Sequence, residues 1–290
     1  MNHPLDSFEV HRPRLRGIAY RMLGSRAEAD DMVQEAWLRW NRAAQAEIRS
    51  PEAWLVTATT RLCIDRLRQL RTEREAYEGP WLPEPLTIQT APPADHSSEL
   101  ASDLSVAFLA VLERLAPEER AAFLLHEMFD SGYGDIAQIL GKSEAACRQL
   151  VSRARKRVRE DKPRVHVNPE ARAKLLSQLA RAVETQDSRE LLTVLSKDAT
   201  WTSDGGGKTK AAKKIVSGAE HVARFGMGVF RRYLSRVRFV PANVNDEAGL
   251  AVMVDGQLLS VITIRTDGQR ILGVYSILNP DKIGALTVTG

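Results

Sequence analysis

The segment from Tyr133 to Val158 constrains the fold most, because it contains two amphipathic helix patterns joined by one glycine. Gly141 permits a tight helix-to-helix turn, since it tolerates positive φ without a Cβ clash. Ser143 is a good N-cap, and Glu144 behind it suits the positive end of the helix dipole. Apolar residues recur at helical spacing along the second helix, where we expect them to pack inward: Cys147, Leu150, Val151, Ala154 and Val158.

The rest of the second helix is polar and basic. Two helices joined by a Gly turn, the second with Arg and Gln near its start, are typical of a DNA-binding helix-turn-helix. We predict that Arg148 and Gln149 read bases, whereas Arg155 and Lys156 contact phosphates. The complete predicted DNA-contacting set is Ser143, Glu144, Ala145, Arg148, Gln149, Ser152, Arg153, Arg155 and Lys156. The alternative is an ordinary helical hairpin with a solvated basic face.

Overall charge does not identify a DNA-binding protein here. The 290-residue chain is long enough for two or three small domains, and its formal net charge is only +4. Residues 1–163 hold 23 basic and 25 acidic residues, a net charge of −2, whereas residues 164–290 hold 18 and 12, a net charge of +6. The DNA hypothesis therefore depends on local patches of charge.

Several classes of protein are disfavoured by composition. Cys63 and Cys147 are the only cysteines, and both lie in apolar helical patterns, so we expect buried thiols rather than a disulfide framework. No basic-then-apolar leader and no apolar run of membrane length is present, which favours a cytoplasmic protein without membrane contact. His126-Glu127 resembles the start of a zinc-protease helix but lacks the second His. We therefore expect neither a metal site nor a cofactor.

Residues 8–75 are predicted to form three helices. The first has apolar residues from Val10 to Met22, and the second is capped by Ser25. The third begins at Ser50-Pro51, with proline at the favoured first position. Arginines are dense in its later half, at Arg61, Arg66, Arg68, Arg71 and Arg74. An arginine-dense third helix beside an acidic second helix suggests two binding surfaces, one for phosphate and one for a basic partner. The alternative is a plain helical bundle with solvated faces.

Three motifs occur in order: Asp30-Asp31-Met-Val-Gln34-Glu35-Ala-Trp37, Pro51-Glu-Ala-Trp54-Leu and the helix-turn-helix. Together they resemble an extracytoplasmic-function (ECF) sigma factor of RNA polymerase. The resemblance implies a first helical domain that binds core polymerase and melts the −10 promoter element. It implies a second helical domain that reads the −35 element with the helix-turn-helix.

The same resemblance assigns residues in the first helical domain. The polymerase-binding residues, facing the β and β′ subunits, would be Asp30, Asp31, Gln34, Glu35 and Trp37. The −10 residues would be Asn41, with the segment to Arg49 capturing a flipped base, and Arg61, Arg66 and Arg68 on the promoter backbone.

Residues 77–102 are predicted to be an extended acidic linker. Five prolines forbid a continuous helix, and neither Lys nor Arg occurs among the acidic residues. Two readings stay open, a solvated tether or a segment that follows a basic channel of polymerase. The run Trp81-Leu82-Pro83-Glu84-Pro85 is too apolar for a pure tether, and it resembles a signature of an ECF branch with a C-terminal extension. Helices over Leu104–Leu115 and Pro117–Met128 are expected to pack beneath the helix-turn-helix.

Residues 163–290 have a different pattern. Helices are predicted over Pro169–Thr185, Arg189–Leu195 and Ala219–Leu234. Antiparallel strands are predicted over Val237–Val244, Gly249–Val254, Leu258–Arg265 and Ile271–Leu278. Helices first and a sheet last indicate an α+β domain. It resembles the cone-shaped SnoaL-like domain of the nuclear-transport-factor-2-like fold, in which some members are enzymes and others are binding modules.

We expect this last domain to regulate rather than to catalyse. Asp204, His221 and Tyr275 qualify as catalytic candidates by residue type only, and the run Gly205-Gly206-Gly207-Lys208-Thr209 lacks the first glycine of a phosphate loop. In the ECF branch that the chain resembles, two motifs are tied to regulation by the extension. They correspond here to Asp204, Gly205, Gly206, Gly207 and Lys208, and to Asn279, Pro280, Asp281 and Lys282, alongside Trp81, Leu82 and Pro83.

The sequence thus predicts a multidomain chain: a first helical domain (1–76), a linker (77–102), a second helical domain (103–162) and an α+β domain (163–290). The main hypothesis is a non-enzymatic sigma factor regulated in cis through contact of the last domain with the sigma domains, without a dedicated anti-sigma protein. One alternative is a ligand-sensing helix-turn-helix regulator that acts without polymerase. Another is a SnoaL-like enzyme anchored to DNA.

Overall fold

A computed structural model of the chain describes residues 4–43, 47–89, 104–161, 167–233 and 235–284. The chain forms two compact units, one from residues 1–75 with 111–161 and the other from residues 76–110 with 162–290. The helices of the first unit are α1 (Pro4–Leu23), α2 (Arg26–Arg42), α3 (Pro51–Glu75), α5 (Pro117–Met128), α6 (Tyr133–Leu140) and α7 (Glu144–Asp161). Helix α4 (Val106–Leu112) crosses the sequence boundary between the two units, and it is shorter than predicted.

The helix ends follow the predicted capping chemistry. The Ser25 hydroxyl accepts the Glu28 N–H, and Ser50 Oγ accepts the Ala53 N–H at 3.3 Å. Ser143 Oγ accepts the Ala146 N–H at 3.2 Å. Gly141 adopts φ 64° and donates its N–H to the Ala137 carbonyl, which closes α6 and starts the turn of the helix-turn-helix.

The inward face predicted for α7 is confirmed, since all five of its apolar residues are buried. Both cysteines are buried and free, and burial raises the pKa of the Cys63 and Cys147 thiols. Along α1, Val10 is 76 % exposed, whereas Phe8 is buried. At about 100° per residue, Val10 lies about 140° around the helix from Leu15, whereas Phe8 lies nearly in line with it.

Within the first unit, the two predicted helical domains contact each other directly. Arg120 of α5, only 2 % exposed, donates to the Met22 carbonyl at the end of α1 and to Glu113, both at 2.6 Å. Arg74, at the end of α3, donates to the Leu23 carbonyl at 2.9 Å and to the same Glu113. The Glu113 carboxylate therefore bridges two arginines, one from each helical domain.

The second unit is built on a seven-stranded sheet. Its strands are β1 (Ile88–Gln89), β2 (Leu195–Asp204), β3 (Val216–Ser217), β4 (Val237–Val244), β5 (Glu247–Val254), β6 (Gln257–Thr266) and β7 (Ile271–Ile277), in the order β1-β4-β5-β6-β7-β2-β3. Its helices are α8 (Pro169–Glu184), α9 (Ser188–Val194), α10 (Ala219–Phe230), followed by a 3-10 turn (Arg231–Tyr233), and α11 (Pro280–Ile283). The predicted α+β class is confirmed.

The sheet departs from the prediction in two ways. Strand β2 pairs parallel with β7, from Thr200 opposite Gly273 to Asp204 opposite Ile277, so the sheet is mixed rather than purely antiparallel. Strand β2 was not predicted because its polar and apolar residues do not alternate: Trp201 to Asp204 are all buried, on both faces. Strand β1 lies in the predicted linker and pairs with β4, with Ile88 opposite Val244.

The sheet buries both of its faces, as the alternation along β5 illustrates. Leu250 and Val252 belong to the core formed with α8, α9 and α10. Ala251 belongs to a second core on the other face, which also contains Leu82 and Ile88 from the linker. The described part of the linker is therefore packed against the sheet of the second unit. No helix in the described ranges is long and apolar enough to cross a membrane.

Candidate nucleic-acid interface and regulatory cluster

Helix α7 presents the predicted DNA-reading face to solvent. Ser143, Glu144, Ala145, Arg148, Gln149, Ser152, Arg153 and Lys156 are exposed, and Arg155 is partly buried. The guanidinium of Arg148 is held between the Glu144 carboxylate, at 2.7 Å, and the Tyr133 ring, at 5.0 Å from the centroid. The Tyr133 ring also packs against the ring of His126, with the two centroids 4.4 Å apart. A guanidinium oriented in this way presents its remaining N–H groups in a fixed direction.

The later basic residues of α7 pair with carboxylates of α5. Arg153 donates to Glu119 at 3.1 Å, and Arg157 also binds this carboxylate, which is only 6 % exposed. Arg155 donates to Glu127. Arg153 thus helps neutralise a buried charge, a structural role that its position in the DNA-contacting set did not indicate.

The acidic face of α2 contains both paired and exposed residues. Asp30 accepts Arg16 Nε at 2.6 Å, and Glu35 accepts Arg39 at 3.0 Å. Asp31 and Gln34 are exposed. The Trp37 ring packs 5.0 Å from Phe8 of α1. Between α1 and α2 lies a groove of about 220 Å³, lined by Phe8, Glu9, Arg12, Asp30, Val33, Gln34 and Trp37.

The arginines predicted to meet the promoter backbone have protein partners in this structure. Arg61 donates to the carbonyls of Gln138 and Ile139 at the end of α6, both at 2.8 Å. Arg66 binds Glu28 and Glu73, and Arg68 binds Asp65 and Glu118. Asn41 is exposed near the end of α2, while residues 44–46 of the predicted base-capturing segment lie outside the described residues.

In the second unit, the three predicted regulatory segments meet around Asp204, which is completely buried. These segments are residues 81–83, 204–208 and 279–282. Its carboxylate accepts the Tyr77 hydroxyl at 2.6 Å, the Leu82 N–H at 2.8 Å and the Lys282 ammonium at 2.7 Å. Its backbone carbonyl accepts the N–H groups of Leu278 and Asn279. We call Tyr77, Trp81, Leu82, Asp204, Asn279 and Lys282 the buried cluster.

Lys282 is the cation of this cluster, and it is 5 % exposed. Besides Asp204, its ammonium donates to the Leu82 carbonyl at 2.6 Å. It also lies 4.0 Å from the centroid of the Trp81 ring and 5.3 Å from that of Tyr77. A carboxylate, a carbonyl and two aromatic faces together compensate the lost hydration of the ammonium.

The glycine turn after Asp204 is closely packed. A Cβ at Gly206, which has φ 57°, would lie 2.3 Å from Asn279 Nδ2 and 2.8 Å from the Tyr77 hydroxyl. A Cβ at Gly207 would meet Glu78, and one at Gly205 would meet the Thr209 carbonyl. Lys208 pairs with Asp281. This turn has no room for side chains beside the linker.

The remaining residues of the regulatory segments also help to pack the linker and α11 around Asp204. Asn279 caps α11 by accepting the Asp281 N–H at 3.0 Å, and its Nδ2 donates to the Tyr77 hydroxyl at 2.9 Å. Pro280 occupies the first position of α11, and Pro83 is buried in the linker. Lys213 belongs to a basic run of four lysines, Lys208, Lys210, Lys213 and Lys214. It pairs with Glu78, so part of this run faces an acidic part of the same chain.

Tyr77 and Asn245 are two residues of this region that sequence reasoning missed. Burial, followed by the hydrogen bond to Asp204, raises the pKa of the Tyr77 phenol above its usual range, which keeps it a donor. An aromatic residue beside Glu78-Gly79-Pro80 was the available signal for Tyr77. Asn245 had the signal of an Asn-Asp pair between two strands, but nothing local indicated its partners.

The residues named as catalytic candidates do not form a site of that kind. Asp204 is already engaged by three donors, whereas His221 is exposed and contacts the Ser217 carbonyl through Nδ1. Tyr275 packs against the core that contains the linker residues. Among the described residues, no group of three or more His, Cys, Asp or Glu side chains is arranged to hold a metal ion.

Known protein families match two parts of the chain. The model for sigma-70 region 2 matches residues 8–73, and the model for sigma-70 region 4 matches residues 105–158. The ECF RNA polymerase sigma factor SigJ of Mycobacterium tuberculosis is 38 % identical, over 96 % of this chain and 92 % of its own. The probable ECF RNA polymerase sigma factor SigI of that organism is 30 % identical, over 97 % and 94 %.

A crystal structure of M. tuberculosis SigJ is also similar. It has a TM-score of 0.75 at 35 % sequence identity, covering 98 % of this chain and 99 % of that one. The likeness therefore includes the α+β domain as well as the helical regions. The chain belongs to the extracytoplasmic-function sigma factors of RNA polymerase.

Proposed function

We propose that this chain is a transcription initiation factor that binds the β and β′ subunits of core RNA polymerase, recognises the −35 and −10 elements and melts the −10 region. We further propose that its C-terminal α+β domain regulates it in cis, without a dedicated anti-sigma protein. The observation that carries the regulatory part is the buried cluster, in which Asp204 and Lys282 hold the linker residues Tyr77 and Leu82.

Promoter recognition is supported by the exposed face of α7. Arg148 is oriented by Glu144 and Tyr133, as a residue that reads a base edge needs to be. Lys156 is exposed a little over two turns later, where a phosphate contact is expected. Polymerase binding is supported by the exposed Asp31 and Gln34 beside the groove between α1 and α2.

Regulation in cis is supported by the position of the linker, since this segment connects the two helical domains. The −35 and −10 elements are about 25 base pairs apart, or about 85 Å at 3.4 Å per base pair. Residues 77–103 would reach about 90 Å if fully extended, at about 3.4 Å per residue. With residues 77–89 held on the sheet, the remaining 14 residues reach about 50 Å at most. Binding of the linker therefore limits how far the helical domains can separate.

Run-off transcription with core enzyme tests this function. Full-length protein is compared with a series of C-terminal truncations that first removes α11 with Lys282 and then the whole α+β domain. The hypothesis predicts polymerase-dependent transcripts whose yield changes when Lys282 is lost. Transcripts that require no added sigma protein, or a yield that is constant across the series, would contradict the initiation role and the regulatory role respectively.

A further inference from the structure

We infer that the β4–β5 hairpin carries a second binding site for the linker, separate from the buried cluster, in which the single side chain of Asn245 holds both ends of residues 86–104 together. Asn245 is 1 % exposed and lies in the turn between Val244 and Glu247. This inference rests on the proposed function, since it concerns regulation through the same linker.

The hydrogen bonds of Asn245 use both halves of its amide. Its Oδ1 accepts the N–H of Leu86 at 2.6 Å and that of Thr87 at 3.3 Å. Its Nδ2 donates to the carbonyl of Leu104 at 2.8 Å. Because two donors lie on one side and an acceptor on the other, only one orientation of the amide satisfies all three.

The backbone around Asn245 strengthens the site. Its own N–H donates to the Thr87 carbonyl at 3.2 Å, and Ile88 continues as β1 beside Val244. Asn245 and Asp246 adopt φ 53° and 64°, the left-handed conformation of a tight hairpin turn. Asn and Asp tolerate this conformation better than other residues with a Cβ. The hairpin therefore fixes the side chain in front of the linker backbone.

The consequence is a closed loop of chain. Leu86 N and Leu104 O are joined through two hydrogen bonds and one amide group, and so lie within about 8 Å of each other. Ile88 and Val106, near the two ends of the loop, pack in the same core as Val244 and support this closure. The first helical domain precedes this loop in sequence and the second follows it. Fully extended, residues 87–104 would reach about 60 Å, so the closed loop, of which Asn245 is one support, removes about 50 Å from the reach available between them.

Asn245→Asp is the most selective test, because it is nearly isosteric and suits the left-handed turn. A carboxylate still accepts from Leu86 and Thr87, but it cannot donate to Leu104 and repels its carbonyl. Asp246→Asn is the matched control, since it makes the reverse exchange in the same turn at an exposed position. Both are made in the full-length chain.

Hydrogen exchange provides a measurement that does not depend on transcription. For Asn245→Asp we expect peptides covering residues 104–112 to exchange at least about tenfold faster, the factor that corresponds to 1.4 kcal/mol. Peptides covering 84–89 should keep their protection, and Asp246→Asn should change neither. Unchanged exchange at 104–112 would overturn the inference. If Asn245→Asp does not fold, Asn245→Gly is the second variant, because it suits the turn and removes both hydrogen-bonding groups of the side-chain amide. Protection against exchange should then fall in residues 84–89 and in residues 104–112.

Transcription with core enzyme then tests the role of the loop. Asn245→Asp should increase transcription several-fold from a promoter that carries both elements, because the helical domains separate more readily. A faster exchange at 104–112 without that increase would overturn the regulatory role of Asn245. If no variant, including wild type, supported polymerase-dependent transcription, the proposed sigma function itself would fail.

Discussion

The ammonium group of Lys282 lies 2.7 Å from Asp204 Oδ2, although 78 residues separate the two in sequence and both side chains are buried. The same ammonium donates to the Leu82 carbonyl, so this ion pair also binds the linker. A buried ion pair of the second unit is therefore placed where the linker meets the sheet.

Lys282→Met should destabilise the second unit by about 3–5 kcal/mol, because it leaves the Asp204 charge buried without its cation. Chemical denaturation measures this loss, and run-off transcription measures its effect on activity. Lys210→Met is the control, since Lys210 is exposed in the segment between β2 and β3. This substitution should change stability by less than about 0.5 kcal/mol. Equal effects of the two variants would show that the ion pair is not a major contributor.

Gly206→Ala should loosen the linker by a steric route. Its new Cβ would lie 2.3 Å from Asn279 Nδ2, and the backbone is left-handed. Gly256→Ala is matched for backbone strain, with φ 79°, but its Cβ would have no atom within 4 Å. We expect Gly206→Ala to cost about 1–3 kcal/mol more than Gly256→Ala in thermal unfolding. Transcription activity should change for Gly206→Ala alone.

Substitutions in α7 should separate base reading from structure. Arg148→Ala should lose about 1–3 kcal/mol of discrimination between the cognate −35 sequence and one with a single base changed. Lys156→Ala should weaken binding to both sequences and lower the salt slope by about 1. Titrations at several salt concentrations provide both quantities. Equal losses on both sequences for Arg148→Ala would remove its base-reading role.

Arg153→Ala should behave differently from Arg148→Ala and Lys156→Ala, because the partner of Arg153, Glu119, is buried. We expect a loss of about 1–2 kcal/mol in the stability of the first unit, since Arg157 still binds this carboxylate. Differential scanning calorimetry measures the loss. A stable variant whose only defect is in DNA binding would contradict this structural role.

Asp31→Arg combined with Glu35→Arg should abolish association with core polymerase while leaving α2 folded. Asp31 is exposed, and Glu35 pairs with Arg39 of its own helix, so the stability cost should be small. Asp65→Arg combined with Glu75→Arg is the control, an equal charge reversal on exposed positions of α3. Co-purification with core enzyme should be lost for the α2 pair and kept for the α3 pair.

Glu113→Gln should destabilise the first unit by about 3–5 kcal/mol, because Arg74 and Arg120 would then face each other without a carboxylate. Burial already lowers the pKa of Arg120 to about 9, and burial together with the charge of Arg120 lowers that of Arg74 to about 10. Glu118→Gln is the control, since that carboxylate is partly exposed. Urea unfolding of both variants tests the difference.

The sequence by itself determined most local structure. Gly141, Ser143 and Ser25 specify helix ends through their own backbone preference and capping, which need no distant partner. Helix α5 was predicted with the observed bounds, and so was β4, because apolar periodicity is a local signal. The three regulatory motifs were identified by resemblance, but their mutual contact was not.

Only the tertiary structure decided which of these residues meet. Tyr77, Asp204 and Lys282 lie far apart in sequence, and a buried charge acquires its partner through packing. Asn245 reaches residues 86 and 104 because strand β1, which has no periodic sequence signal, pairs with β4 beside it. Arg120 likewise has no local feature that distinguishes it from a surface arginine. Its charged group is accommodated by the Met22 carbonyl at the end of α1, 98 residues earlier, and by Glu113.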